Sequence, residues 1–449
     1  MKIHLIAIGG AIMHNLAMEL HDNGHIVTGS DDAIFDPALS RLREKGILPP
    51  SMGWDTQRIH SGLDLVILGM HARKDNVELL KAQELNLNIQ SFPEFMFHHA
   101  KNKTRVVIAG SHGKTTTTSM VLHLLKTAKM DADFLVGAQL EGFGNMVKLS
   151  NAPIAVYEGD EYTASPIDLR PKFMHYKPHI TVITGIAWDH INVFPTHQLY
   201  KQQFELLIDD TLRRGTLIYY SGDKDLKELA DTHSGKKIEY RALQYQVNEE
   251  GCCIVINGQS VPVNFFGNHN FENMSAAYHV VRQLGMSDEQ FIEGVRTMPG
   301  PARRLEVINH QQDHITYFDF AHAPSKVDAT VKAVRERHPD KRLIAVLELH
   351  TFSSLNKNFI PHYAHTLDSA DEAIIFYNPE TALAKRMEIA EPAFLIDAFQ
   401  RKDIRVIMQT DELRTTLHDI DRHNSILLIM TSGNFGGIDV RKELGSLQQ

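Results

Sequence analysis

The segment Gly110-Ser111-His112-Gly113-Lys114-Thr115 carries the clearest chemistry in this chain. It follows an apolar run, Val106 to Ala109, and leads through Thr116 and Thr117 into a helical pattern from Ser119 to Lys129. A glycine turn between a strand and a helix aims several backbone N–H groups and the positive end of the helix at one point, which suits phosphate. From there Lys114 can reach the β- and γ-phosphates of a nucleoside triphosphate, and the Thr115 hydroxyl can ligate Mg²⁺. The usual phosphate-loop formula would place its first glycine where Ile108 stands, so this is a shortened variant.

Other residues can serve such a loop. Glu158-Gly159-Asp160-Glu161-Tyr162 follows the strand-like Ile154–Tyr157. Three carboxylates at a strand end repel one another without a cation, so either a Mg²⁺ site or a solvated acidic loop is expected. Trp188-Asp189-His190 follows a second apolar run, Ile180–Thr184. Asn270 and Asn273 lie three apart at a helix start, where they can hydrogen-bond a base edge or, in the case of Asn270, cap the helix. The pair Arg303-Arg304 can neutralise transferring charge or form a solvated strand face. Asp319 to Pro324 ends a strand and opens a helix, with Asp319 and His322 in the turn. Near the C-terminus, Gly433, Gly436 and Gly437 permit close backbone approach, while Ser432 and Asn434 offer hydrogen bonds; a helix-entry loop without a ligand is the competing reading.

These groups need a scaffold. The first hundred residues alternate strand and helix signals: strands Ile3–Ile8, His25–Gly29 and Leu63–Leu68, and helices Ala11–His21, Asn76–Leu85 and Pro93–Ala100. That series predicts a doubly wound parallel sheet. Lys101 to Thr104 reads as a linker. A second region contains the phosphate loop, helices His197–Leu212 and Asn270–Leu284, and a hairpin turning at Asn257-Gly258. Met298-Pro299-Gly300-Pro301 breaks the chain again. Strand runs at Ile315–Phe320, Leu343–Leu349, Ala373–Tyr377, Arg405–Met408 and Ile426–Met430 predict a third α/β region. At 449 residues the length also favours about three domains.

In the first region, Gly9-Gly10 follows a strand and opens a helix, and Asp31 closes the next strand 21 positions after Gly10. Dinucleotide-binding folds put a carboxylate there, on a ribose. The full GxGxxG is absent, with Ile8 and Met13 in the outer places, so a plain glycine turn and polar strand end remain equally open. The broken motif and the phosphate loop oppose a nicotinamide-dependent oxidoreductase. A nucleotide switch would leave the third region unexplained.

Composition narrows the class. The net charge of −9 gives no general affinity for nucleic acid or anionic lipid. Only two cysteines occur, the adjacent Cys252 and Cys253, which rules out a disulfide framework and fits a reducing compartment. No run of about 18 apolar residues is present, and His4 with Gly9-Gly10 interrupts the apolar start, so a cytoplasmic protein is expected.

The block from Gly110 to Thr117 resembles the ATP loop of the Mur ligase family, whose members form amide bonds in bacterial peptidoglycan assembly. The resemblance continues in short blocks over nearly the whole chain. It implies three domains: 1–102 holding a UDP-sugar, 103–299 binding ATP, and 300–449 closing on ATP and binding the amine acceptor. The outer two would be Rossmann-like. By resemblance, Gly110 to Thr116 cradle ATP with Lys114 catalytic, while Thr115, Glu158 and His190 hold Mg²⁺. Asn270 and Asn273 contact adenine, Arg303 and Arg304 match an RRxE block, and Asp319 with His322 approach the nucleotide after closure. His190 would also be catalytic, as would Arg303 and Arg304. Gly9, Gly10, Ser30 and Asp31 would hold the UDP. Relatives usually carry asparagine shortly before the Asp-His pair, where Thr184-Gly185 stand here.

Other branches have a carbamylated lysine, for which only Lys201 is at hand and none is expected. Glu158 to Tyr162 fits the branch that acts on UDP-N-acetylmuramate. Within it, Thr431 to Ile438 and Lys172-Phe173-Met174-His175-Tyr176 resemble blocks of the members that add a murein tripeptide, L-alanyl-γ-D-glutamyl-meso-diaminopimelate, rather than L-alanine. Ser432 and Asn434 would then contact that peptide. Glu348-Leu349-His350-Thr351 departs from the matching EPRS block by losing its arginine.

Overall fold

The computed structural model describes residues 1–140, 142–188, 193–248, 251–299, 305–311 and 313–445. These form two compact units. The first comprises 1–186, 200–241 and 273–295; the second comprises 187–199, 242–272 and 296 onward.

The first unit contains two parallel sheets. In the four-stranded sheet, Lys2–Ile6 is central, flanked by Ile26–Ser30 and by Leu65–Leu68, with Ile89–Ser91 outside the latter. The first crossover leaves Lys2–Ile6 to one side and the next returns to the other. The turn after this strand is therefore a topological switch point, where ligands collect in open α/β sheets. Ile6, Val66 and Leu68 pack with Leu79 and Ala82 of the helix Val77–Glu84 in a continuous core.

The seven-stranded sheet repeats the plan. Thr104–Ala109 lies between Ile180–Ile183 and Ile154–Glu158, all parallel, and only the short edge strand Val147–Lys148 runs antiparallel. Val106 to Ala109 are fully buried, because helices cover both faces of the sheet. The segment expected as a linker is pinned down. Buried Arg105 donates to the carbonyls of Ala100, Lys101, Lys103, Tyr176 and Lys177, and Lys103 pairs with Asp133. A guanidinium with five donors satisfies a turn that would otherwise leave carbonyls orphaned.

The second unit is built on a six-stranded sheet. Glu306–His310 pairs antiparallel with His314–Asp319; then Ser425–Met430, Arg342–Leu349, Glu372–Tyr377 and Arg405–Ile407 follow in parallel. Apolar clusters fill both faces. The hairpin turns as expected, at Asn257 (φ 51°) and Gly258 (φ 79°), and carries a third strand, Tyr245–Asn248. Cys252 and Cys253 are free, one buried and one half-buried on alternate faces of their strand. Among the described residues no helix is long and apolar enough to cross a membrane.

Candidate active site

The helix Lys114–Thr127 begins at Gly113, whose φ of +75° only glycine adopts freely. A Cβ there would stand 2.3 Å from Asn273 Oδ1, the atom that accepts a hydrogen bond from the Thr117 hydroxyl (3.2 Å). Asn273 thus braces the loop from behind. The front of the loop keeps the N–H groups of the first helical turn, which have no carbonyl partners within the helix.

Lys114 Nζ donates to the Gly110 carbonyl (2.7 Å) and to Glu161 Oε2 (3.2 Å). Burial disfavours its charge, but Glu161, Asp160 and Glu158 outweigh that and hold its pKa above the ordinary lysine value. Glu161 also accepts from the Tyr200 hydroxyl (3.2 Å). Asp160 is matched by Lys172 (2.8 Å); burial pushes its pKa up, and Lys172 with Lys114 reverses this so that the net shift is downward. Glu158 accepts from the Thr115 hydroxyl (2.9 Å) and from Gly137 N–H (2.9 Å), while burial leaves its pKa raised.

This revises the expectation that the three carboxylates need one cation between them. Two have a lysine each, because the hairpin after them brings Lys172 back and the loop supplies Lys114. Glu158 alone faces the Thr115 hydroxyl. Those two hard oxygen donors stand 2.9 Å apart, about the edge of an octahedron with 2.1 Å bonds, so the residues present fit Mg²⁺. His190, Arg303 and Arg304 lie outside the described residues.

Thr184-Gly185, which replaces the expected asparagine region, supports the loop directly. The Thr184 hydroxyl donates to the His112 carbonyl, and Ser111 N–H donates to the Gly185 carbonyl (2.9 Å). Ser111 Oγ contacts His112 Nδ1 at 3.0 Å. Asn270 does not cap its helix, which starts at Asn268; its amide donates to the Phe266 carbonyl (2.8 Å).

At the first switch point Gly9 N–H donates to Asp31 Oδ2 (2.7 Å) and Asp32 N–H to Oδ1 (2.9 Å). Burial drives the Asp31 carboxyl up to about 6, against the Gly9 hydrogen bond. Gly10 precedes the helix Ala11–Asp22. Ser30 is fully buried and donates to Glu78 Oε1 (2.7 Å), inside a network with Arg58.

In the second unit the Asp319 carboxylate accepts from Leu305 N–H (2.8 Å) and Ala321 N–H (2.7 Å), which shapes the turn carrying His322. On the neighbouring strands Ser432 Oγ meets His350 Nε2 (3.0 Å), His350 Nδ1 faces Glu348 Oε2 (3.6 Å), and Thr431 donates to Glu348. Burial lowers the His350 pKa. Asn434 is exposed at the head of the following turn. The roles of Tyr200, Lys172, Thr184 and His350 escaped the sequence reading. Each meets a partner on another element, so no local signal marked the pairing.

The sequence matches the Mur ligase family catalytic domain over residues 2–104, the Mur ligase middle domain over 108–281 and the Mur ligase glutamate ligase domain over 303–433. It is 30% identical to a UDP-N-acetylmuramate–L-alanine ligase of Caldanaerobacter subterraneus, covering 96% of this chain and 95% of that one. It is 28% identical to a UDP-N-acetylmuramate–L-alanyl-γ-D-glutamyl-meso-2,6-diaminoheptandioate ligase of Haemophilus influenzae, covering 97% of each. Its fold is similar to the crystal structure of a murein peptide ligase from Psychrobacter arcticus, with a TM-score of 0.64, 22% identity and full coverage of both chains.

Proposed function

The chain belongs to the Mur ligase family of ATP-dependent amide-forming enzymes, and we propose that its own reaction joins UDP-N-acetylmuramate to L-alanyl-γ-D-glutamyl-meso-diaminopimelate, as in peptidoglycan recycling in the cytoplasm. Residues 1–102 would hold the UDP through Gly9, Gly10 and Asp31, with Ser30 behind them. Residues 103–299 would bind ATP, and 300–449 would close on ATP and present the peptide to Ser432 and Asn434.

In the first step a muramoyl carboxylate oxygen attacks the γ-phosphorus, and the bond from that phosphorus to the β-phosphate oxygen breaks, releasing ADP. Lys114 is already charged and aimed along the loop, so it stabilises the transferring phosphoryl without reorganising. Thr115, Glu158 and His190 would hold Mg²⁺, which when bound neutralises phosphate charge. Arg303 and Arg304 would add positive charge from the third domain, and Asp319 and His322 would order the turn that meets the nucleotide beside Asn270 and Asn273. The peptide amine then attacks the acyl phosphate, forming the amide and expelling phosphate. A water-poor site limits hydrolysis of that intermediate.

The observation that carries the peptide assignment is the glycine-rich turn after Ser425–Met430, floored by Ser432, His350 and Glu348. L-alanine addition is the second reading. It is favoured by the naming of the 30% identical relative and by His350 in place of the arginine expected of peptide-adding members. Phosphate release with ATP and UDP-N-acetylmuramate, given either acceptor, separates the two. A large preference for the tripeptide is expected, since a site built for polar groups leaves them unpaired with L-alanine. Equal use of both acceptors overturns the assignment.

A further inference from the structure

The hairpin beyond the acidic block carries a cluster that ligation does not use. One carboxylate oxygen each from Glu94 and Asp168 and a ring nitrogen of His175 lie within 4.8 Å of one another. Three elements supply them: the helix Phe92–Ala100, the strand Asp168–Pro171 and the short helix Lys172–His175.

His175 is only 6% exposed, and its Nε2 makes no hydrogen bond. Asp168 Oδ2 stands 3.3 Å from that nitrogen, off the line an N–H would need. A buried ring nitrogen without a partner costs free energy unless something fills its lone pair. Burial, helped by Arg170, holds the His175 pKa below the ordinary imidazole value.

The spacing suits a metal. Two ligands bonded at about 2.0 Å in a tetrahedron are about 3.3 Å apart, the separation of Asp168 Oδ2 and His175 Nε2. Both carboxylates are held from outside. Arg170 donates to Asp168 through Nη2 (2.6 Å) and Nε (3.0 Å). Glu94 Oε2 accepts from Ser91 N–H (2.8 Å) and the Ser91 hydroxyl (2.9 Å) in a capping box, which leaves Oε1 uncommitted among the described residues. Outer partners of this kind orient metal ligands.

We propose that Glu94, Asp168 and His175 form a second metal site, distinct from the nucleotide loop, for a borderline divalent cation of the Zn²⁺ class. One imidazole with two carboxylates favours such an ion over Mg²⁺ or Ca²⁺, which take oxygen ligands. Glu94 belongs to the last helix before the pinned Lys101–Lys103 turn, and Asp168 and His175 lie beyond the phosphate loop. The ion therefore ties the first sheet's last helix to the hairpin of the second sheet and acts as a structural staple.

The test uses the full chain after EDTA treatment, without nucleotide, titrated with Co²⁺ as a spectroscopic probe. The Glu158→Gln background keeps the nucleotide site from contributing. One Co²⁺ per chain with ligand-field absorption is expected, displaced by Zn²⁺. His175→Gln should weaken binding by more than about 100-fold, beyond the loss typical of an outer-partner change. Asp168→Asn should act in the same direction, and Zn²⁺ should raise the melting temperature of the parent but of neither variant. Circular dichroism checks that each variant folds. Absence of the Co²⁺ spectrum in the parent overturns the proposal, as does full Co²⁺ stoichiometry in both variants.

Discussion

Two glycine turns in the first unit share one backbone plan and hold opposite charges. After Lys2–Ile6 the turn through Gly9-Gly10 opens a helix around the Asp31 carboxyl. After Thr104–Ala109 the turn from Gly110 to Gly113 opens a helix around the Lys114 ammonium. Both lie at topological switch points, so strand order alone does not separate them. The side chain in the mouth does. An ammonium beside free helix N–H groups collects phosphate and can stabilise its transfer. A carboxyl occupies the Gly9 N–H itself and offers oxygen acceptors to hydroxyls. The first turn is suited to holding a sugar nucleotide, the second to chemistry.

On that division, Lys114→Ala breaks the second turn most severely. It should lower kcat by roughly 10²-fold or more, as loss of a preorganised transition-state contact does. The variant should still fold, as circular dichroism checks, with a lowered melting temperature because buried Glu161 loses its counter-charge. Near-normal turnover would remove the lysine from the mechanism.

Asp31→Ala addresses the first turn. KM for UDP-N-acetylmuramate should rise by about tenfold with kcat little changed, the size of a lost hydrogen bond to a charged group. A fall in kcat at constant KM would instead make Asp31 part of the chemistry.

The same carboxyl gives the comparison a pH signature. Because Asp31 titrates near 6 in the fold, KM should climb as the pH falls below about 6, towards the plateau set by Asp31→Ala. Asp31→Asn should abolish that inflection. Stability runs the other way. The folded state favours the neutral form, so this contribution is complete below the unfolded value of 3.8 and is lost as the pH rises through about 6. Thermal melts between pH 4 and 7 should show this slope in the parent and lack it in Asp31→Asn.

A third glycine turn, after Ser425–Met430, extends the comparison to the proposed acceptor site. A Cβ on Gly433 would stand 2.6 Å from Glu348 Oε2 and 2.8 Å from the His350 ring. Gly433→Ala should therefore raise KM for the tripeptide by about fivefold, a small overpacking cost in a turn that can yield. KM values for ATP and UDP-N-acetylmuramate should stay unchanged. If all three rise together, the turn shapes the whole domain and not the peptide site.

The sequence alone determined the strand-turn-helix elements, because their signals are local. An apolar run interrupted by Gly110 and Gly113, with Lys114 and Thr115 at the helix start, allows few conformations. Asn257-Gly258 likewise dictates its hairpin through positive φ angles. The resemblance of scattered short blocks extended these local signals to a family. The partner of each charge was not legible. Asp160 and Glu161 are neighbours in sequence, yet one is matched by Lys172 from a returning hairpin and the other by Lys114 and by Tyr200 of the helix His197–Leu212. Ser432 meets His350 because Ser425–Met430 pairs in parallel with Arg342–Leu349 across 82 residues. Such pairings depend on sheet order and register, which long-range burial decides. Tertiary structure alone also placed His175 in the interior with an unbonded ring nitrogen, since burial depends on how the hairpin folds against Phe92–Ala100 and not on the types of the residues beside it.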